Sequence, residues 1–537
     1  MSRMGLKLVF RVALTATVLL VSLSSFAVGE SQVAVPRFNI EKYQVEGNTL
    51  IPAGKLASIL APFTGSDKDF ATVQEAIEAL EKSYRDRGYT TVMVILPEQE
   101  LEKGVVRLKV IENHVGKIDV EGNKFFDEKN ILRSLPALRP AEVPNLNAIS
   151  RSLKLANENP AKKIDLQLKN SAKENEIDAA IAVRDEKPWK VGITADNSGD
   201  KDTGRTRTGV LLQHANLFNL DHIMSLQYIT SPENLNDVHI YSAGYHVPLY
   251  SLGSSVDLIA AYSDVNSGKV SVASNSMNLS GKGTILGLHY NQNMTRIGNY
   301  EHKVTLALDY RAYENFVDLE GFQLGNNVTV HPVSLTYAGT YTLDKLSEGG
   351  YLSLIQNLPG DWDGRGGQSD FDKARAGAPS RYSMLRYGVN LQYVFPGDWQ
   401  GRFIFNGQYT NDRLVSGEQY GIGGAASVRG FREREIVNDK GYSGSVEMYT
   451  PNLSDLFGIK SVQCRLLVFY DRGEVTRVDP LPGEVDHIEI ASIGPGVRIT
   501  DGKYFTLSAD YGLVVDPPDE NTTKWSGVWH VSATVMF

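Results

Sequence analysis

Two textures divide this chain. From Pro188 to Phe537, segments of roughly ten residues alternate apolar and polar positions and are separated by turns rich in Gly, Asn, Asp and Pro, a pattern of two-faced strands. In the last segment Trp529, Val531, Ala533, Val535 and Phe537 share one face, and His530, Ser532 and Thr534 the other. Val304, Leu306, Leu308 and Tyr310 oppose Thr305, Asp309 and Arg311 in the same way, as Phe505, Leu507, Ala509 and Tyr511 oppose Thr506, Ser508 and Asp510. Before Pro188 the pattern is mixed. Asn39–Val45 is strand-like, Pro52–Leu60 reads as a short helix, and Phe70–Arg87 as a longer one with Val73, Ile77, Leu80 and Tyr84 on one face and Gly88 as its stop. Two extended runs, Thr90–Leu96 and Gly104–Ile111, complete the order βααββ.

That order is repeated. Val45-Glu-Gly-Asn48 recurs as Val120-Glu-Gly-Asn123, each at the end of a strand-like run. The second copy continues with helices near Asp127–Ser134 and Asn145–Asn157 and strands at Ile164–Lys169 and Glu176–Arg184. A three-stranded sheet with helices on one face leaves an edge strand open to an added extended segment. Thr90–Leu96 and the groove beside Tyr84 are therefore the candidate contact surface, with Tyr84, Thr91 and Val92 as its residues. The plainer alternative is that these side chains only pack their own domain.

The N-terminus changes the compartment. Arg3, Lys7 and Arg11 precede the apolar run Val12–Leu23 and the small-x-small site Ser25-Phe26-Ala27, a secretory signal with cleavage expected after Ala27. A retained anchor is the other reading, but twelve helical residues at about 1.5 Å each cannot cross a core about 30 Å thick. No later stretch is apolar for ~18 residues, so the mature chain is either an exported soluble protein or a barrel. Alternation alone fits a soluble sandwich equally well. The 25 Tyr, many near segment ends as interfacial girdles require, and the aromatic C-terminal residue Phe537 favour a membrane barrel. Alternation and turns give sixteen strands, with short connections such as Asn216–Asp221 and Pro396–Trp399 alternating with long ones such as Pro359–Pro379 and Asp412–Lys440.

Composition removes several function classes. The net charge of −9, which loses the three basic residues of the leader on cleavage, argues against a nucleic-acid binder. With Cys464 the only cysteine, an internal disulfide and a Cys-based metal site are excluded. The ten His show no HExxH or paired-ligand spacing, and neither a nucleophile elbow nor a GxxxxGK[ST] phosphate loop is present, so no catalytic, cofactor-binding or metal residue is assigned.

The longest loop, the sixth on the outer side at about 412–440, carries Gly421-Ile-Gly-Gly-Ala-Ala-Ser-Val-Arg-Gly-Phe431. Later comes Phe469-Tyr-Asp471-Arg-Gly473, and alternation puts Leu466, Val468 and Tyr470 on the lipid face and Arg465, Phe469 and Asp471 in the lumen. Val428-Arg429-Gly430-Phe431 resembles the loop signature, and Phe469, Asp471 and Gly473 the inner-wall motif, of the superfamily of POTRA-barrel outer-membrane assembly and translocation proteins. Ser492-x-Gly-x-Gly-x-Arg498 and Asp196-Asn-Ser-Gly199 with Thr203-Gly204 also resemble its two-partner-secretion branch, the TpsB-type haemolysin and filamentous-haemagglutinin secretion transporters. Pro495 is awkward in a central strand and suggests a bulge.

The resemblance implies a mainly β fold: a 16-stranded antiparallel transmembrane β-barrel (188–537) preceded by two small periplasmic βααββ POTRA domains (38–111 and 112–187) and a signal peptide (1–27). It implies that the sixth loop folds into the pore and that Arg429 meets Asp471; the alternative is that Arg429 stabilises a surface loop. Several members begin with a plug helix, but Val28–Arg37 leaves ten residues for one, so closure is expected to fall to the sixth loop. The implied protein sits in the outer membrane of a Gram-negative bacterium and is a monomer without cofactor. Its implied partners are a TpsA-type secreted exoprotein, outer-membrane lipid and the barrel assembly machinery that reads Phe537. An insertase for other barrels and a passive porin are the alternatives, with an outer-membrane hydrolase behind them.

Overall fold

The computed structural model describes residues 36–537 except 101–102, 202, 266–267, 273–274, 280–281, 315–316, 320–321, 325, 361–362, 455–457 and 459–460. The leader and most of Val28–Arg37 lie outside the described residues.

The first α/β unit contains β1 (Phe38–Ile40), β2 (Lys42–Glu46), α1 (Ala53–Leu60), β3 (Gly65–Lys68), α2 (Phe70–Asp86), β4 (Val92–Ile95) and β5 (Val105–Glu112). Its sheet has the order β2-β5-β4, with β2 parallel and β4 antiparallel to the central β5. The second unit, with β6 (His114–Glu121), α3 (Glu128–Arg133), α4 (Leu146–Asn157), β7 (Lys162–Asn170) and β8 (Glu176–Asp185), repeats the order as β6-β8-β7. Sequence reading missed the ribbon of β1 with β3: Gly65-Ser-Asp-Lys68 has no apolar alternation, and Glu41 breaks the expected first strand in two.

The repeated Glu-Gly-Asn has a common geometric cause. Gly47 and Gly122 adopt φ +78° and +87°, and a Cβ on either would collide with the carbonyl of Val110 or Val183 in the neighbouring strand. Asn48 then closes a turn, donating to the Ile51 carbonyl at 2.8 Å, as Asn123 donates to Phe126 at 2.9 Å. A carboxylate at the end of the central strand takes the amides that follow: Glu112 those of Thr49 and Leu50, Asp185 those of Lys124, Phe125 and Phe126. Asp69 caps α2 by accepting from Thr72, which holds its carboxyl below the usual range.

The two units meet end to end. Gly88 ends α2 at φ +92°, its carbonyl accepts from Leu146 at 2.8 Å, and the Asn145 side chain donates to the Arg87 carbonyl at 2.9 Å.

Sixteen strands form the closed antiparallel barrel, from Trp189–Asp196 to Gly527–Met536. The eighth, Pro332–Thr342, is preceded by Val328–Val330, which continues its pairing with the seventh, Tyr300–Tyr313. The first and last strands pair over Gly192–Asp196 and Ser532–Met536, and Phe537 extends the seam by exchanging backbone hydrogen bonds with Val191. Asn197 lengthens it further, donating to the Trp529 carbonyl and accepting from the Val531 amide. Leucines, valines and aromatics such as Leu306, Val468, Tyr470 and Trp529 are exposed on the outer face, while Gln213, Ser242, Asp257 and Ser353 are buried inside. No helix among the described residues is long and apolar enough to cross a membrane.

Pro495 does not make the bulge. The register shift in the fourteenth strand, His487–Thr500, falls at Ala491/Ser492, while pairing to the fifteenth, Phe505–Asp516, lapses at Gly494 and Pro495. The missing N–H of Pro495 thus coincides with a gap in the ladder.

Candidate functional site

Residues 410–439, between the eleventh strand (Gln400–Tyr409) and the twelfth (Lys440–Tyr449), fold back into the barrel. A short ribbon, Tyr420–Ile422 with Ile436–Asn438, leads to the tip. The tip glycines serve close approach: Gly430 has φ +95° and a Cβ on it would lie 3.1 Å from the Gly512 carbonyl, while one on Gly512 would collide with the Gly430 amide. The Gly430 amide donates to His530 Nε2 at 3.1 Å. Val428 and Phe431 pack with Ile422, Val475, Ile490 and Val514, and a Cβ on Gly473 would lie 3.0 Å from Val428.

Arg429 is 3% exposed and enters a nest of carboxylates. Its Nε and one terminal nitrogen form a fork with Asp471, both at 2.7 Å, and its own amide donates to the same carboxylate at 3.0 Å. The other terminal nitrogen lies 2.8 Å from Glu447 and 3.5 Å from Asp510. Ser445 donates to Asp471 at 2.6 Å, and the Phe469 ring stacks 3.5 Å from the guanidinium carbon. Asp471, Phe469 and Gly473 lie on the thirteenth strand, Gln463–Thr476, whose Leu466, Val468 and Tyr470 face outward.

The structure therefore brings Val428, Arg429, Gly430 and Phe431 together with Phe469, Asp471 and Gly473. Glu447, Ser445, Asp510 and His530 were not picked out for this site from the sequence. The signal was present in the alternation, which puts each of them on the inner face of its strand, but nothing in spacing ties the three strands that carry them to one loop tip.

The first-unit residues need correction. Tyr84 and Val92 point into the core and are buried, so neither can present a side chain to a partner. The helix and strand that carry them are amphipathic, and these are their inner positions. Tyr84 donates to Asn48, and burial, then the charge of Glu112, pushes its phenol above the usual range. Thr91 is half-buried. The outward side chains of β4 are Met93 and Ile95, 50% and 40% exposed, on a strand at the sheet edge.

Among the described residues Glu474, His487 and Glu489 bring possible ligand atoms within 4.8 Å of one another at the outer rim. Arg472 already pairs with Glu489 and Tyr442 donates to Glu474 at 2.6 Å, so these carboxylates have partners without an ion.

Residues 175–499 match the family model of the haemolysin secretion/activation proteins ShlB/FhaC/HecB, and residues 38–113 match the ShlB-type POTRA domain. The chain belongs to this family. The member is 21% identical to the heme/hemopexin transporter protein HuxB of Haemophilus influenzae over 498 residues, 91% of this chain and 86% of that one. It is 23% identical to the outer membrane transporter CdiB of Dickeya dadantii, over 76% of this chain and 71% of the relative. Among solved structures, CdiB from Escherichia coli shares the fold at TM-score 0.75 and 20% identity, covering 96% of this chain and 93% of that one. CdiB from Acinetobacter baumannii does so at TM-score 0.70 and 16% identity, covering 94% and 90%. As a family member with a sixteen-stranded barrel and a POTRA domain, the protein resides in the outer membrane with its α/β region in the periplasm.

Proposed function

We propose that this protein captures a partner exoprotein in the periplasm and passes it, extended, through the barrel to the cell exterior. No bond is made or broken, and folding of the client outside drives the passage. The observation that carries this reading is the inserted arginine: Arg429, reaching Asp471, Glu447 and Asp510, holds the sixth loop across the lumen through contacts that can exchange for water. A pair of this kind costs about 3–5 kcal/mol to break from one side in a dry site and less in a wet lumen. Such a closure is strong enough to seal a resting pore and weak enough to release. The names of relatives, among them the hemolysin transporter protein ShlB of Serratia marcescens, agree with cargo export.

The same reading divides the chain into a signal peptide (1–27), two POTRA domains (38–111 and 112–187) and the barrel (188–537), acting as a monomer. Its sites are the Val428–Phe431 tip, the Phe469, Asp471 and Gly473 wall, the edge of β4 for the client, and Phe537 for recognition during assembly.

The test compares the culture supernatant and outer-membrane proteome of wild type with those of a 38–185 deletion and of Arg429→Ala. Loss of one large exoprotein with other barrels unchanged supports secretion. Broad loss of barrels would make the protein an insertase, and altered solute permeability alone a porin. Arg429→Asp combined with Asp471→Arg should recover export better than either change alone; a double variant no better than the singles would sink direct pairing.

A further inference from the structure

The loop that carries Arg429 is also fastened at its feet, by charges that sequence spacing does not connect. Glu418 is fully buried; one terminal nitrogen of Arg311 on the seventh strand donates to both its oxygens at 2.9 and 3.2 Å, and the Tyr313 hydroxyl donates at 2.7 Å. Asp439, the last residue before the twelfth strand, is equally buried. It accepts from the Leu414 and Val478 amides at 2.9 and 2.8 Å and from both terminal nitrogens of Arg375, which caps the helix Gln368–Ala374 of the preceding outer loop. Gln408 of the eleventh strand ties the two feet together, donating to the carbonyls of Glu418 and Asp439 at 3.0 and 2.8 Å. Leu414 and Val415 complete the anchorage in an apolar cluster with Tyr313, Phe371 and Tyr382.

The tip is built differently. Between feet and tip the backbone turns through positive φ at Gly423 (+105°), Gly424 (+95°) and Arg434 (+52°), and the Arg434 amide meets the Gly423 carbonyl at 3.3 Å. Ala425, Ala426 and Arg432 are exposed within the tip. If Arg429 leaves, Arg498 stays forked onto Asp510 at 2.7 and 2.8 Å and Arg402 stays 3.8 Å from Glu447, so of the three carboxylates Asp471 alone loses its cation and keeps the Ser445 hydroxyl. Withdrawing the feet would strand two buried carboxylates, their arginines and an apolar cluster, against one buried carboxylate and the smaller cluster of Val428 and Phe431 at the tip. The feet engage the seventh and eleventh strands and the tip the twelfth to the sixteenth; the seventh and fifteenth face each other in a ring of sixteen.

We propose that the sixth loop opens as a hinged tip on fixed feet. Glu418 and Asp439 are positioning residues that keep the feet and the ribbon in place throughout transport, while residues 424–433 swing about Gly423, Gly424 and Arg434. The passage so opened runs along the acidic wall of Glu447, Asp471 and Asp510. The inference rests on the reading that this loop closes the pore.

Two cysteine pairs in a full-length Cys464→Ser background test it. Val428→Cys with Gly473→Cys ties the tip to the wall; Tyr313→Cys with Gly417→Cys ties a foot, since a Cβ at 417 would collide with the Tyr313 ring. Each pair is closed with a short bis-thiosulfonate, and conductance is recorded in planar bilayers in KCl before and after reduction. The tip link should abolish large-conductance openings until reduced, and the foot link should leave them as in the unlinked protein. Loss of openings with the foot link, restored by reduction, would overturn the fixed-foot assignment; openings unaffected by either link would overturn the pore-closing reading itself. If the foot pair does not assemble, spin-label distances from Lys503→Cys to the exposed positions Ala425→Cys and Ser416→Cys replace it. Several distances to Ala425 and one to Ser416 support the hinge, and a single distance to Ala425 or several to Ser416 sinks it.

Discussion

The two α/β units share a topology, a Glu-Gly-Asn turn and a carboxylate that caps it, yet they are attached to the molecule in different ways. The first touches the second through a few groups, Arg87 and Gly88 against Asn145 and Leu146, with Val143 packed on the first unit's core. The second shares its core with the barrel: Ala215, Ile223 and Tyr250, from periplasmic ends of barrel strands, pack in one cluster with Phe126, Ile131 and Leu155. At that seam Lys162 is completely buried, donating to Asn130 at 2.9 Å and to Asp221 at 2.5 Å, and Tyr250 donates to the same aspartate at 2.6 Å. Burial pulls the Lys162 ammonium below its usual range against the attraction of Asp221. The edge strands differ too. Asn157 takes both the amide and the carbonyl of Ile164 on β7, whereas Glu81 takes the amide of Val94 on β4 and, as a carboxylate, can only accept. One domain plan thus serves as a mounting where it is welded and as a presenting surface where it is hung.

The sharpest way to break this contrast is Lys162→Met, which leaves Asp221 buried without its cation. It should cost about 3–5 kcal/mol at the seam, read as a lower unfolding temperature and faster proteolysis near 186–188. If it costs less than Asn145→Ala, the second unit is not welded. Next, Gly47→Ala and Gly122→Ala should each cost about 1–3 kcal/mol for an alanine forced to positive φ, in denaturant unfolding. Equal penalties would show that the shared turn contributes alike in both settings. A smaller effect, about 1 kcal/mol, is expected for Asn145→Ala, which removes the α4 cap and the link to Arg87; cleavage between the units should rise while the barrel's midpoint stays put. Smallest in stability is Met93→Ser with Ile95→Ser, within about 0.5 kcal/mol for exposed positions, yet export should fall several-fold if β4 meets the client.

The units and strands were legible in the sequence because each carries its own periodicity: α2 is found at Phe70–Asp86 and the last barrel strand at Gly527–Met536. The candidate site was legible only in part. Arg429 and Asp471 stand in recognisable motifs, whereas Glu447, Asp510, Glu418 and Asp439 are single acids whose partners come from other strands and loops. Tyr84 and Val92 went the other way, since the periodicity that made them visible is the periodicity of a core face.

The seam at Phe537 has a consequence for the order of events in assembly. The pairing that closes the ring, with Phe537 against Val191, joins the barrel strands farthest apart along the chain, so it carries the largest loop-closure cost and follows the pairings of consecutive strands. Until then the barrel is a curved sheet with two raw borders, each a template for a neighbouring chain. Fifteen hairpin-like pairings can form between consecutive strands, and only the sixteenth turns the sheet into a wall without an end.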